Sequence, residues 1–169
     1  MTQELQQKFT NVCPNVDFAS LRYVEEVTEV IGVRRMVLEP VEKSIDRGVM
    51  VTVIHRGGMG YAATADLSES GIRQAFKKAL EWAERTQGKM VFNPNEIDLP
   101  HSKGTYASSV QKCWKDVSFQ EKLDLLMNID QQLPIDDRII DWSASLLNVR
   151  TESLYLTNHG GEIHQSWEM

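Results

Sequence analysis

Near the end of the chain, the run TNHGGEIHQSW sets two histidines, His159 and His164, on either side of a carboxylate, Glu162. Imidazole and carboxylate are zinc ligands, and a glutamate beside a zinc ion can activate water. A zinc-peptidase helix of the H-E-x-x-H type places both histidines on one helical face. Here the order is His-Gly-Gly-Glu-Ile-His, and the adjacent Gly160 and Gly161 break any helix. The inverse motif, H-x-x-E-H, is missed by one residue, Ile163. On a strand, Glu162 and His164 share one face while Ile163 and Trp167 take the other. His159 then falls in the turn. The spacing predicts a hairpin turn with an exposed histidine. An independent enzyme built on His159, Glu162 and His164 is the alternative, and its metal would need a further ligand from elsewhere.

No other group assembles nucleophile, base and oxyanion donors. His55 ends an apolar run beside Arg56 and reads as a satisfied strand-end residue; His101 lies in an irregular segment. HRGGMG has glycines but neither G-x-G-x-x-G nor a P-loop lysine, so a hairpin turn is the better reading. Ser108 and Ser109 sit in no G-x-S-x-G elbow. Glu25-Glu26 and Asp136-Asp137 are sequence neighbours, which read as solvated surface. Cys13 and Cys113 form no C-x-x-C and lie beside no histidine, and they are expected to be reduced. No catalytic, cofactor-binding or metal-ligating residue is assigned.

The elements that carry these residues follow from periodicity. TQELQQKFTNV spaces Leu5, Phe9 and Val12 as a short amphipathic helix ended by Pro14. FASLRYVEEVTEVIGVRRMVLEPVEKS predicts a long strand, a bend at Gly32 and a second strand. VMVTVI and GYAATA predict a hairpin closed by Gly57-Gly58. Asp66 and Glu69 form a capping-box pattern, followed by the stripe Ile72, Ala75, Phe76, Ala79, Leu80 and Ala83, with Gly88 as the stop. Residues 89–116 read as an irregular connection. Ser118 and Glu121 open a second helix with Phe119, Leu123, Leu126 and Leu133 on its buried side, ended by Pro134. RIIDWSASLLNV, SLYLTN and EIHQSW close the chain as strands. The expected class is α+β: a mainly antiparallel twisted sheet, a four-stranded meander plus C-terminal strands. Two amphipathic helices and a short N-terminal helix pack it. A length of 169 residues fits a single domain, 1–169.

The formal net charge of -6 argues against nucleic acid as a partner, because phosphate contacts need a basic face. No stretch approaches a membrane span, and MTQELQQKFTN lacks a signal-like apolar run. A cytoplasmic location is the expectation.

The segment from Asp17 to Glu84 resembles the N-terminal domain of the TldD/PmbA family. The likeness rests on an acidic strand after Arg22-Tyr23, a D-R-G-V turn at Asp46 to Val49, and a valine-rich strand. It continues with G-Y-A-A-T-x-D-L-S at Gly60 to Ser68 and an alanine-containing helix. TESLYLTNHGGEIHQ resembles the strand-turn-strand near that domain's end. The resemblance covers roughly 15–165 and is densest over 17–86. It implies a cytosolic zinc metallopeptidase family, historically called modulators of DNA gyrase, whose H-E-x-x-x-H motif lies downstream of this domain. No residue here matches that motif, so no catalytic or zinc role is carried over, and zinc is expected only in a full-length active homologue. One family branch lacks the motif and serves as a partner subunit. The implied role is a cleft-forming domain that admits unfolded peptide, inactive alone. It would be joined to a C-terminal catalytic domain or a homologous subunit in a homo- or hetero-dimer. The alternative is a stand-alone peptide-binding or scaffolding module, in which a sheet edge adds an extended peptide as a further strand.

Overall fold

The computed structural model describes residues 2–97, 99 and 101–169. The elements run α1 (Thr2–Val12), β1 (Phe18–Arg34), β2 (Val37–Leu38), β3 (Glu42–His55), β4 (Gly58–Thr64), α2 (Glu69–Thr86), β5 (Lys103–Ala107), α3 (Phe119–Gln132), β6 (Ser143–Thr157) and β7 (Glu162–Glu168). The strands form a sheet in the order β4-β3-β1-β6-β7-β5, with β2 paired to β1. The class is α+β with a mostly antiparallel sheet, as the periodicity predicts.

Local differences from the sequence reading have physical causes. β1 runs straight through Gly32, and the chain reverses at Arg35-Met36, both at positive φ (49° and 64°). β2 is only two residues long and adds to the end of β1. The neighbours of β3 in the sheet are β1 and β4, so the first four strands do not pair in simple succession. The β3–β4 register pairs His55 with Gly58, so the turn residues are Arg56 and Gly57, at φ 50° and 78°. Within the stretch expected to be irregular, Lys103–Ala107 forms β5, parallel to β7. The two terminal strands expected before the last turn are one continuous strand, β6.

Contacts divide the chain into two compact units. The first comprises 1–25, 47–107 and 152–166, and the second 26–46, 108–151 and 167–169. In the first, Leu21, Val51, Val53 and Leu156 of the sheet pack against Leu5 and Phe9 of α1 and Ile72, Phe76 and Ala79 of α2. The α2 stripe is buried as its period requires, and the Phe9 and Phe76 rings meet at 5.9 Å. The helix is capped by Ser68, whose hydroxyl accepts the Gly71 N–H, and Asp66 instead accepts the Ser68 N–H. The cap therefore sits two residues beyond the predicted one. β4 lies so close to α2 that a Cβ on Gly60 would fall 2.1 Å from the Ala79 carbonyl oxygen. Only glycine allows that approach.

In the second unit, Ile31, Val33 and Leu126 form the buried centre. Helix α3 has the predicted capping box, with Ser118 and Glu121 bonded reciprocally. Its buried side differs from the apolar pattern. Lys122, Leu126 and Asp130 face inward, while Phe119 and Leu133 are exposed. Tertiary partners explain the reversal. The Lys122 ammonium lies 3.8 Å from the centre of the Trp114 ring, a cation–π contact. One oxygen of Asp130 accepts the Met36 N–H at 2.6 Å and the Trp142 indole N–H at 3.1 Å.

Candidate functional site

In the first unit the alternation of strand side chains leaves a second sheet face away from the helices. Leu21 and Tyr23 of β1 and Val51 and Val53 of β3 enter the core, so Ser20, Arg22, Thr52 and Ile54 point the other way. The segment carrying Phe92, Ile97 and Leu99 lies over part of this face and encloses a groove of about 380 Å³. Phe18, Ser20 and Ile54 are buried beneath it, whereas Met50 stays 42% exposed. Arg22 is the sole charged side chain among the described lining residues, and it forms no ion pair with any described residue.

A second hollow of about 380 Å³ shares Phe18, Ile54, Ile97 and Leu99 with the first and adds Asp17, His101 and His159. The two make one trough with a cation at one end and a carboxylate with two imidazoles at the other. His159 sits edge-on to the Phe18 ring, 5.7 Å between centroids. Asp17 is fixed by the Arg56 N–H, which donates to it at 2.7 Å. Its other oxygen lies 3.9 Å from Nδ1 of His55. That nitrogen is buried and has no hydrogen-bond partner among the described residues, unlike the satisfied strand-end histidine expected from the sequence. His101, expected in an irregular segment, lines the trough; composition gave no sign of that, because its neighbours there come from distant strands.

The terminal histidines separate. Glu162 and His164 share a face of β7, as the alternation requires, and hydrogen-bond each other at 2.9 Å. Gln6 of α1 donates to the same Glu162 oxygen. The contact with His164 holds the Glu162 carboxyl below its ordinary range. His159, one turn away, belongs to the trough instead. Among the described residues no group of three or more His, Cys, Asp or Glu side chains could hold a metal ion. Zinc, implied by the family resemblance, therefore finds no fitting donor set in them.

Some of the remaining candidates have structural partners. Ser108 accepts the Glu168 N–H at 3.1 Å. Glu25, read as surface, accepts the Tyr23 hydroxyl and lies 3.8 Å from Arg47. Burial, reinforced by that bond to Glu25, pushes the Tyr23 hydroxyl up to about 12. Asp136 pairs with Arg138. Cys13 and Cys113 are free thiols, and burial raises the Cys13 thiol above its usual value. Among the described residues, no helix is long and apolar enough to cross a membrane.

Residues 19–83 match the family described as PmbA/TldA metallopeptidase domain 1. The fold is similar to that of a candidate modulator of DNA gyrase from Thermotoga maritima, at 13% identity and TM-score 0.70, covering 99% of this chain and 38% of that one. It is also similar to a candidate modulator of DNA gyrase from Bacteroides thetaiotaomicron, at 15% identity and TM-score 0.66, covering 99% and 38%. TldE from Thermococcus kodakarensis matches at 12% identity and TM-score 0.67, covering 99% and 36%. No curated protein matches the chain significantly. The chain thus spans under two-fifths of the length of these structures. The matched segment holds nearly all of β1, the β3–β4 hairpin and most of α2, and its strands supply floor residues of the trough. By that match, residues 19–83 resemble the first domain of the PmbA/TldA metallopeptidases, and the chain as a whole shares the fold of these structures.

Proposed function

We propose that the chain serves as the cleft-forming N-terminal domain of a TldD/PmbA-type metallopeptidase that acts on unfolded peptides, and that it is not catalytic by itself. The observation that carries this reading is the trough on the helix-free sheet face, where apolar floor residues lie between Arg22 and Asp17. Extended chain suits such a surface, because its side chains alternate at the spacing of the strands beneath. Zinc would be held by an H-E-x-x-x-H helix outside this chain, in a C-terminal catalytic domain or a homologous subunit of a cytoplasmic homo- or hetero-dimer.

The test is calorimetric titration of zinc into the chain, paired with an assay for cleavage of reduced, alkylated lactalbumin. The expected result is no stoichiometric zinc, no cleavage, and saturable binding of the unfolded polypeptide. Tight one-to-one zinc with proteolysis overturns the proposal. A second reading, a stand-alone module that captures peptide on a sheet edge, draws on β5. That strand ends the sheet order, and all five of its residues are exposed. An in-frame H-E-x-x-x-H in the coding region downstream rejects it.

A further inference from the structure

The charges of the trough have a fixed direction. Arg22 lies at one end with no ion pair to any described residue, and its guanidinium offers a planar fork of N–H donors. Asp17, His101 and His159 lie at the other end. Arg22 and Asp17 are five positions apart, which on an extended strand is about 16 Å. Between them the floor is apolar at Phe18 and Ile54, with the hydroxyls of Ser20 and Thr52 set among these side chains. A ligand matching this pattern has a carboxylate at one end, apolar groups along its length and hydrogen-bonding groups at regular intervals. An acyl chain matches the first two features, but its methyl end would meet Asp17 and the imidazoles, a polar surface that it cannot satisfy.

We propose that the trough is a terminus-reading subsite. It takes the C-terminal stretch of an extended apolar peptide, with the terminal carboxylate on Arg22 and the chain running toward Asp17. The proposal rests on the peptide-binding reading above and adds a direction and an end group to it. Arginine reads a terminal carboxylate through paired, charge-assisted hydrogen bonds that an internal peptide bond cannot supply. The site would therefore favour peptides with a free end over the middle of a chain.

The test uses the whole chain and calorimetry with the pentapeptide Ala-Leu-Val-Ala-Leu, as free acid and as C-terminal amide. Amidation is expected to weaken binding about tenfold, the usual size of one charge-assisted contact. Arg22→Gln should weaken the free acid equally, leave the amide unchanged, and leave the melting temperature unaltered because Arg22 is exposed. Arg22→Lys should recover part of the loss. Met50→Asp, at an exposed floor position, should weaken both peptides. Equal affinity for acid and amide, with both lost in Met50→Asp, overturns the carboxylate assignment while the peptide reading stands. Decanoate competing as well as the free acid overturns it in favour of an acyl ligand. Absence of binding by either peptide overturns both readings.

Discussion

Trp142 donates its indole N–H to Asp130 across 3.1 Å, and the same carboxylate oxygen takes the Met36 N–H of the β1–β2 turn. Asp130 is fully buried, and its second oxygen has no hydrogen-bond partner among the described residues. One side chain of α3 thus holds two positive-φ residues and a tryptophan in place. Asp130→Ala would leave both donors without this acceptor, which costs about 2–3 kcal/mol. Asp130→Asn keeps one oxygen acceptor and should cost less. Urea denaturation followed by tryptophan fluorescence measures both; equal stability of Asp130→Ala and the parent chain would sink the assignment.

The approach of β4 to α2 gives a sharper contrast. Gly60→Ala would push a methyl group to 2.1 Å from the Ala79 carbonyl oxygen and 2.7 Å from the Trp82 Cβ. Neither neighbour can yield without moving the helix, so a loss of about 3 kcal/mol is expected, at the upper end for overpacking. Gly104→Ala meets nothing within 4 Å and should leave the melting temperature almost unchanged. A calorimetric scan of the two variants separates them.

The α3 capping box makes a smaller prediction. Ser118→Ala removes the acceptor for the Glu121 N–H, leaving one helix-start donor without its side-chain partner. The expected loss is about 1 kcal/mol. Ser118→Asp, which keeps an acceptor, should recover most of it. Chemical denaturation of the pair tests the idea, which fails if Asp is no better than Ala.

Glu162 sets a pH dependence. Its carboxyl is lowered from 4.5, first by the hydrogen bond to His164 and then by that from Gln6. A carboxyl whose folded value lies below its unfolded one stabilises the fold above the unfolded value. That contribution disappears as pH falls through the folded one. This group therefore adds nothing to any change between pH 7 and 5, and its loss belongs below about 4.5. Glu162→Gln should flatten the acid limb of a stability–pH curve there. An acid limb identical in shape to that of the parent chain would refute the link.

The sequence reading succeeded where local and global preferences agree. The α2 stripe from Ile72 to Ala83 has the period of a helix and a sheet to pack on, so its face was visible in advance. Alternation likewise put Glu162 and His164 on one side of β7. It failed where a distant partner changes a residue's value. Lys122 and Asp130 look like solvent positions until Trp114, Met36 and Trp142 are placed around them. Phe119 and Leu133 look like core until those polar groups have taken the inward side. The Arg35-Met36 reversal lacks the glycine or asparagine that usually marks such a turn, whereas nearby Gly32, the residue type that signals a bend, lies within β1. The trough has the same origin as these misses. His101, His159 and Asp17 are far apart in sequence, and only the pairing of β1, β3 and their neighbours gathers them.

β5 also bears on the order in which the chain can fold. Its partner residues in β7 lie 59 positions further on, as Lys103 pairs with Glu162. Such parallel pairing must first close a loop containing all of α3 and β6, an entropic cost that local hairpins do not bear. The β3–β4 hairpin, by contrast, closes through two residues. During synthesis the hairpin can form as soon as it emerges, whereas Lys103–Ala107 must wait, unpaired, for β7. The last strand to join the sheet is therefore neither the first nor the last made, and an unfolded-chain chaperone would find its exposed interval between those two events.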